Sequence, residues 1–130
     1  TAVAQAAAWA ENLGTTLDLA YVDPYQHARV IESPPLPDSW LQGLETRRSS
    51  QLEALLSEVP ASVRGRAHYI AGNAASTVSP LVQLAETHDA SLLATSTHGR
   101  TGVARLVLGS VTERLVRHSR TPVLVLRRDP

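Results

Sequence analysis

The chain has 130 residues, with twelve basic and twelve acidic side chains, 43% hydrophobic residues and no cysteine. That length suits one domain that removes roughly two-thirds of its unfolded surface from water, and the missing thiols exclude disulfides, cysteine nucleophiles and zinc–thiolate sites. All twelve cations are arginine, so the lysine that a Walker-type phosphate loop requires is absent.

Zero net charge argues against wholesale binding to nucleic acid or membranes, but the charge is unevenly spread. Residues 97 to 128 carry seven arginines against the single acid Glu113, whereas residues 1 to 96 carry five against ten acids. No basic stretch followed by an apolar core opens the sequence, and no apolar run approaches the roughly eighteen residues that span a bilayer. A soluble, cytoplasmic protein is expected.

In chain order, "AVAQAAAWAENLG" predicts a helix with Trp9 and Leu13 four residues apart, closed by Gly14. "LDLAYV", residues 17 to 22, predicts a strand ended by Asp23-Pro24, because the residue before proline avoids the helical region. The four prolines at 24, 34, 35 and 37 make residues 24 to 38 a loop, long enough to suggest a mobile segment. From Asp38, a candidate N-cap, Leu41, Leu44, Leu52, Leu55, Leu56 and Val59 recur near one face of a helix that Pro60 ends. "RAHYIA", residues 66 to 71, predicts a strand. Ser79-Pro80 resembles an N-cap followed by proline at the first helical position, with a start near Ser76 as the alternative. "ASLLAT" and "TPVLVL" are unbroken apolar runs, the pattern of strands buried on both faces.

Strands and helices thus alternate, which predicts an α/β three-layer sandwich with a parallel sheet. In such sheets ligands sit beyond the carboxyl ends of the strands, and "STHGRTGVARLVLGS", residues 96 to 110, leaves the end of "ASLLAT". Gly99, Gly102 and Gly109 allow backbone to approach a ligand closely. Ser110 opens a helix with Glu113 at capping-box spacing, and a helix start offers amides and positive dipole to an anion. Arg100 and Arg105 add charge. The spacing suits a phosphate chain held by backbone donors. It also fits an ordinary capped helix after a tightly packed loop, and between the two the spacing does not choose.

"THGRTGVARLVLGSVTERLVRHSRTPVLVLR", residues 97 to 127, resembles the C-terminal signature of the universal stress protein family, G-x2-G-x9-G-[ST] followed by a helix and a "PVLVV"-like strand. "AETHDASLLATS" and "LDLAYVDP" resemble further parts of that family more loosely. The resemblance implies a five-stranded parallel sheet in the order 3-2-1-4-5, dimerisation through the last strand (here Pro122 to Leu126), and, in one branch of the family, ATP, with magnesium expected beside it. Carried across, it puts Val22 and Asp23 beside adenine, and Thr95, Ser96, Gly99, Gly109, Ser110 and Val111 along ribose and triphosphate, with Arg100 on the phosphates. It implies a stress-response binding protein that signals through dimer or partner contacts, with at most slow ATP hydrolysis.

Two departures stand out. The motif's first glycine is Ser96, whose Cβ occupies a place where backbone usually meets the ligand. The family's first strand, central in its sheet, has no counterpart, so the single domain is expected to lack an N-terminal segment or to take a strand from another chain. Ser96 therefore keeps open a second function, a dimeric interaction module of the same family without ATP; a small-molecule enzyme of related architecture is a third.

His27, His68, His88, His98 and His118 show no metal-ligand spacing and are expected to be ordinary surface or partly buried residues. Ser96-x-His98 lacks the G-x-S-x-G elbow of a hydrolase. Arg114, Arg117 and Arg120 are expected on a solvated helix face, and Trp9 and Trp40 in a core or interface.

Overall fold

The computed structural model of the chain describes residues 1–23, 37–71, 77–96 and 109–127. Eight elements alternate along them: α1 (Ala2–Leu13), β1 (Leu17–Asp23), α2 (Asp38–Ser57), β2 (Arg64–Ala71), α3 (Val78–Thr87), β3 (Leu93–Ser96), α4 (Ser110–His118) and β4 (Val123–Leu126). The α/β class predicted from the sequence is present, with four strands among the described residues. They form two parallel pairs, β1 with β2 and β3 with β4.

Local chemistry explains the boundaries. Thr1 Oγ1 accepts the Ala4 amide at 3.2 Å and caps α1. Gly14 closes it at φ 64°, a left-handed conformation that costs glycine nothing, and the Thr15 amide then reaches Ala10 O at 3.0 Å. Several predicted starts, that of β2 among them, shift by one to three residues. Pro37 takes the cap position of α2, and Asp38 is its first helical residue. Helix α3 begins at Val78, so Pro80 sits inside the first turn, where no intrahelical acceptor awaits its missing N–H. Strand β3 starts at Leu93 rather than Ala90, and β4 at Val123 rather than Thr121, immediately after Pro122.

The core joins α1, the end of α2 and the first strand pair. Ala7, Ala10, Leu56, Val59 and Val63 form one buried cluster, with Val3, Leu17, Leu19 and Ala67 packed against it. The face of α1 turned to this cluster is therefore alanine, which lets the helix lie close. Trp9, expected in a core or interface, is 46% exposed, and Leu13 is 52% exposed. Trp40, at the start of α2, is also 46% exposed. On α2 the apolar face is buried at Leu41 and Leu56, half-buried at Leu44 and Leu52, and exposed at Leu55. Strands β3 and β4 are mostly half-buried rather than covered on both faces, and Ala94 is exposed.

The β1–β2 ladder contains one irregularity. Leu17 faces Arg64, but Leu19 faces Ala67, so Gly65 and Arg66 together oppose Asp18. This is the arrangement of a β-bulge. No described helix is long and apolar enough to cross a membrane.

Candidate functional site

Two threonines tie the start of α4 to the end of β3. Thr112, 2% exposed, donates from Oγ1 to Ser96 O at 3.3 Å and lies 3.4 Å from Thr95 Oγ1. Thr95, Ser96, Gly109, Ser110 and Val111 are thereby brought into one place. Sequence reasoning missed Thr112, which carries this join; its only signal was a hydroxyl one turn into a helix after a glycine-rich loop.

The helix start is open. The first intrahelical bond runs from the Glu113 amide to Gly109 O at 2.9 Å, so the amides of Ser110, Val111 and Thr112 precede any intrahelical acceptor. Among the described residues no side chain caps them. The capping box expected of Ser110 and Glu113 is not formed: Gly109 occupies the cap position, Ser110 is the first helical residue, and Glu113 instead pairs with Arg117 at 2.8 Å across one exposed turn. With the cap filled by a residue that has no side chain, the exposed Ser110 and Val111 sit at the positive end of the helix dipole, where an anion would be stabilised.

Val22 and Asp23 end β1 and are buried at 8% and 2% exposure. The Tyr69 hydroxyl donates to Asp23 Oδ2, and the Tyr21 and Tyr69 rings lie 6.0 Å apart. Arg48 of α2 lies 5.3 Å from the Tyr21 ring centre and donates to its hydroxyl. Thr95, Ser96 and Val111 line the groove between β1 and β3, whereas Val22 and Asp23 do not. The predicted site residues thus form two clusters, one at the carboxyl end of β1 and one at the β3–α4 junction. Gly99 and Arg100, with His98, lie outside the described residues.

Among the described residues no group of three or more His, Cys, Asp and Glu is placed to hold a metal ion. His27 lies outside them, and His118 is exposed at the end of α4. Arg114, Arg117 and Arg120 are all exposed, the first two on α4 as the sequence predicts and Arg120 just past its end. His68 has a partner that periodicity could not reveal: its Nε2 lies 2.9 Å from Asp18 Oδ2, and its ring stands 5.0 Å from that of His88.

Asp18 Oδ1 also accepts the Arg66 amide at 2.9 Å. Burial pushes the Asp18 carboxyl up, but the His68 hydrogen bond, the Arg66 amide and the positive charge of His68 and His88 together hold it below its ordinary value. A carboxylate depressed in the folded state adds stability above its unfolded pKa and loses it as pH falls through the folded one. Wild-type stability is therefore expected to fall between about pH 5 and about pH 3, and Asp18→Asn to flatten that limb. Urea midpoints measured across that range check it; parallel acid limbs for the two proteins would remove Asp18 from the account.

The family model for the universal stress protein family matches residues 1–127. Over 48 residues the chain is 42% identical to universal stress protein MJ0531 of Methanocaldococcus jannaschii and 38% identical to universal stress protein MJ0577 of the same organism. Each stretch is 37% of this chain and spans only 28% and 30% of those two relatives. Among solved structures, that of MJ0577 superposes with a TM-score of 0.69 at 22% identity over 99% of this chain and 87% of its own. A universal stress protein family member from Burkholderia pseudomallei superposes with a TM-score of 0.69 at 23% identity, over 96% of this chain and 83% of its own. Two parallel strand pairs, a helix launched from a glycine cap beside β3, and a family match over nearly the whole length agree: the chain belongs to the universal stress protein family.

Proposed function

We propose that this protein binds ATP, with magnesium, at the β3–α4 junction and signals through dimer or partner contacts, not through rapid turnover. The observation that carries the proposal is the first turn of α4 beside Ser96, which no described side chain caps and which offers the amides of Ser110 and Val111 to an anion. Gly109 admits the phosphates to those amides, Arg100 and Gly99 complete the cradle, and Val22 and Asp23 face the adenine. Any hydrolysis is slow, as the family resemblance implies. The strand Pro122 to Leu126 forms the homodimer contact, and the protein works in the cytoplasm without nucleic acid or membrane.

Calorimetric titration with magnesium ATP tests this directly: saturable one-site binding supports it, and no heat at millimolar nucleotide overturns it. Ser96 favours a second reading, an interaction module of the same family that has lost ATP, because its Cβ lies at the end of β3 where the motif has glycine. Ser96→Gly separates the two. Under the first reading the variant changes affinity by less than about threefold; under the second it creates binding that the wild type lacks.

A further inference from the structure

Helices α3 and α4 pack beside each other, and an open cleft of about 670 Å³ lies between them. Val78, Val82 and Glu86 recur every four residues along α3 and so share the wall on its side, with Gln83 next to them. Arg114 and His118, also four apart, form the wall on α4.

The deeper residues are apolar and the outer ones are polar or charged. Val78 is buried and Val82 half-buried, whereas Gln83, Glu86, Arg114 and His118 are exposed. Glu113 and Arg117 pair with each other on α4, outside the cleft. Glu86 and Arg114 do not pair: they line the same cleft, yet neither side chain has a hydrogen-bond or ion-pair partner among the described residues. Two opposite charges thus flank an apolar patch without meeting.

We propose that this cleft binds a small zwitterion, an α-amino acid with an aliphatic side chain, whose carboxylate meets Arg114, whose ammonium meets Glu86 and whose side chain rests on Val78 and Val82. The walls set the class of ligand. A phosphate or other simple anion is drawn to Arg114 but repelled by Glu86, and a simple amine meets the reverse, so only a ligand carrying both charges satisfies both walls. A guanidinium offers a carboxylate two parallel donors, and an ammonium offers three to a carboxylate. The volume lies within the roughly 300–1,000 Å³ of small-molecule sites. Because both charges face water, the affinity is low, about millimolar. No residue of the proposed nucleotide site takes part, and nothing in this inference depends on nucleotide.

The experiment titrates the 130-residue chain, isotopically labelled and free of nucleotide, with four probes. They are leucine, leucinamide, which lacks the carboxylate, N-acetylleucine, which lacks the ammonium, and inorganic phosphate. Leucine is expected to shift the amide resonances of Val82, Gln83 and Arg114 along one saturable curve, and the other three to bind at least about fivefold more weakly. Glu86→Gln and Arg114→Gln both change exposed positions to a good helix former, so α3 and α4 persist in each. In Glu86→Gln, leucine should weaken to the level of N-acetylleucine, whose own affinity does not fall. In Arg114→Gln, it should weaken to the level of leucinamide, whose own affinity does not fall. The proposal is overturned if leucine gives no saturable shift at tens of millimolar, if any of the other three probes matches it, or if each variant loses all the probes alike.

Discussion

Replacing Gly109 with valine is expected to abolish the thermal stabilisation that magnesium ATP confers, while leaving the unliganded fold intact. A ligand that binds only the native state at a hundred times its Kd adds about 2.7 kcal/mol, which for a domain of this size raises the melting temperature by roughly 8 °C. The backbone of Gly109 sits at φ −58° and ψ 155°, extended geometry open to any L-residue, so valine adopts it without strain. What valine adds is a branched side chain at the cap of α4, in front of the amides proposed to hold the phosphates. The wild type should therefore shift by several degrees with nucleotide and Gly109→Val by less than about 1 °C, with unchanged circular dichroism. Gly109→Ala, with a smaller side chain at the same cap, should keep part of the shift. A full shift in Gly109→Val would mean that nucleotide, if it binds, does not rest on this helix start.

The contrast between this cap and the predicted capping box shows what the sequence encodes at the site. Ser110 and Glu113 have the right spacing, but a capping box also needs the serine one residue outside the helix, and that choice depends on where the loop delivers the chain. Here Gly109 takes the outer position, and the hydroxyl that fastens the helix to β3 belongs to Thr112. The family motif marked this junction in the chain without revealing which residue caps the helix there.

The fold was more legible, for a physical reason. Each element sits within a few residues of the apolar run or breaker that announces it: β1 ends just before Pro24, β4 starts just after Pro122, and Gly14 ends α1 at positive φ. The side-chain environment was less so. Trp9 and Leu13 have helical spacing, yet the alanines at 6, 7 and 10 take the buried face. A small-residue face is the one that can approach a neighbouring sheet closely, and hydropathy alone ranks it below tryptophan. The strand pairs show the same limit: "TPVLVL" and "ASLLAT" read as fully buried, and in the structure they stay half-covered beside the groove.

The largest expected effect on stability falls at Gly65. The sequence predicts the second strand from Arg66, whereas the structure runs β2 from Arg64 straight through Gly65, which lies inside the bulge opposite Asp18. A Cβ added there would overlap Asp18 Oδ1 and stand 2.9 Å from Leu17 O, a backbone atom that cannot swing aside. Gly65→Ala must therefore either spread β1 from β2 or expel the Asp18 carboxylate, which forfeits its bonds to the Arg66 amide and His68. Overpacking of this kind costs about 1–3 kcal/mol, or a fall in melting temperature of roughly 4–10 °C. Gly65→Val should cost more, since its branched side chain meets the same two atoms. A double-mutant cycle separates the two responses: if expulsion of the carboxylate dominates, Gly65→Ala costs much less in an Asp18→Ala background, and if the backbone clash with Leu17 O dominates, the cost is the same in both. Chemical denaturation of the four proteins measures it, and a neutral Gly65→Ala in the wild-type background would show that the bulge has room the structure does not display.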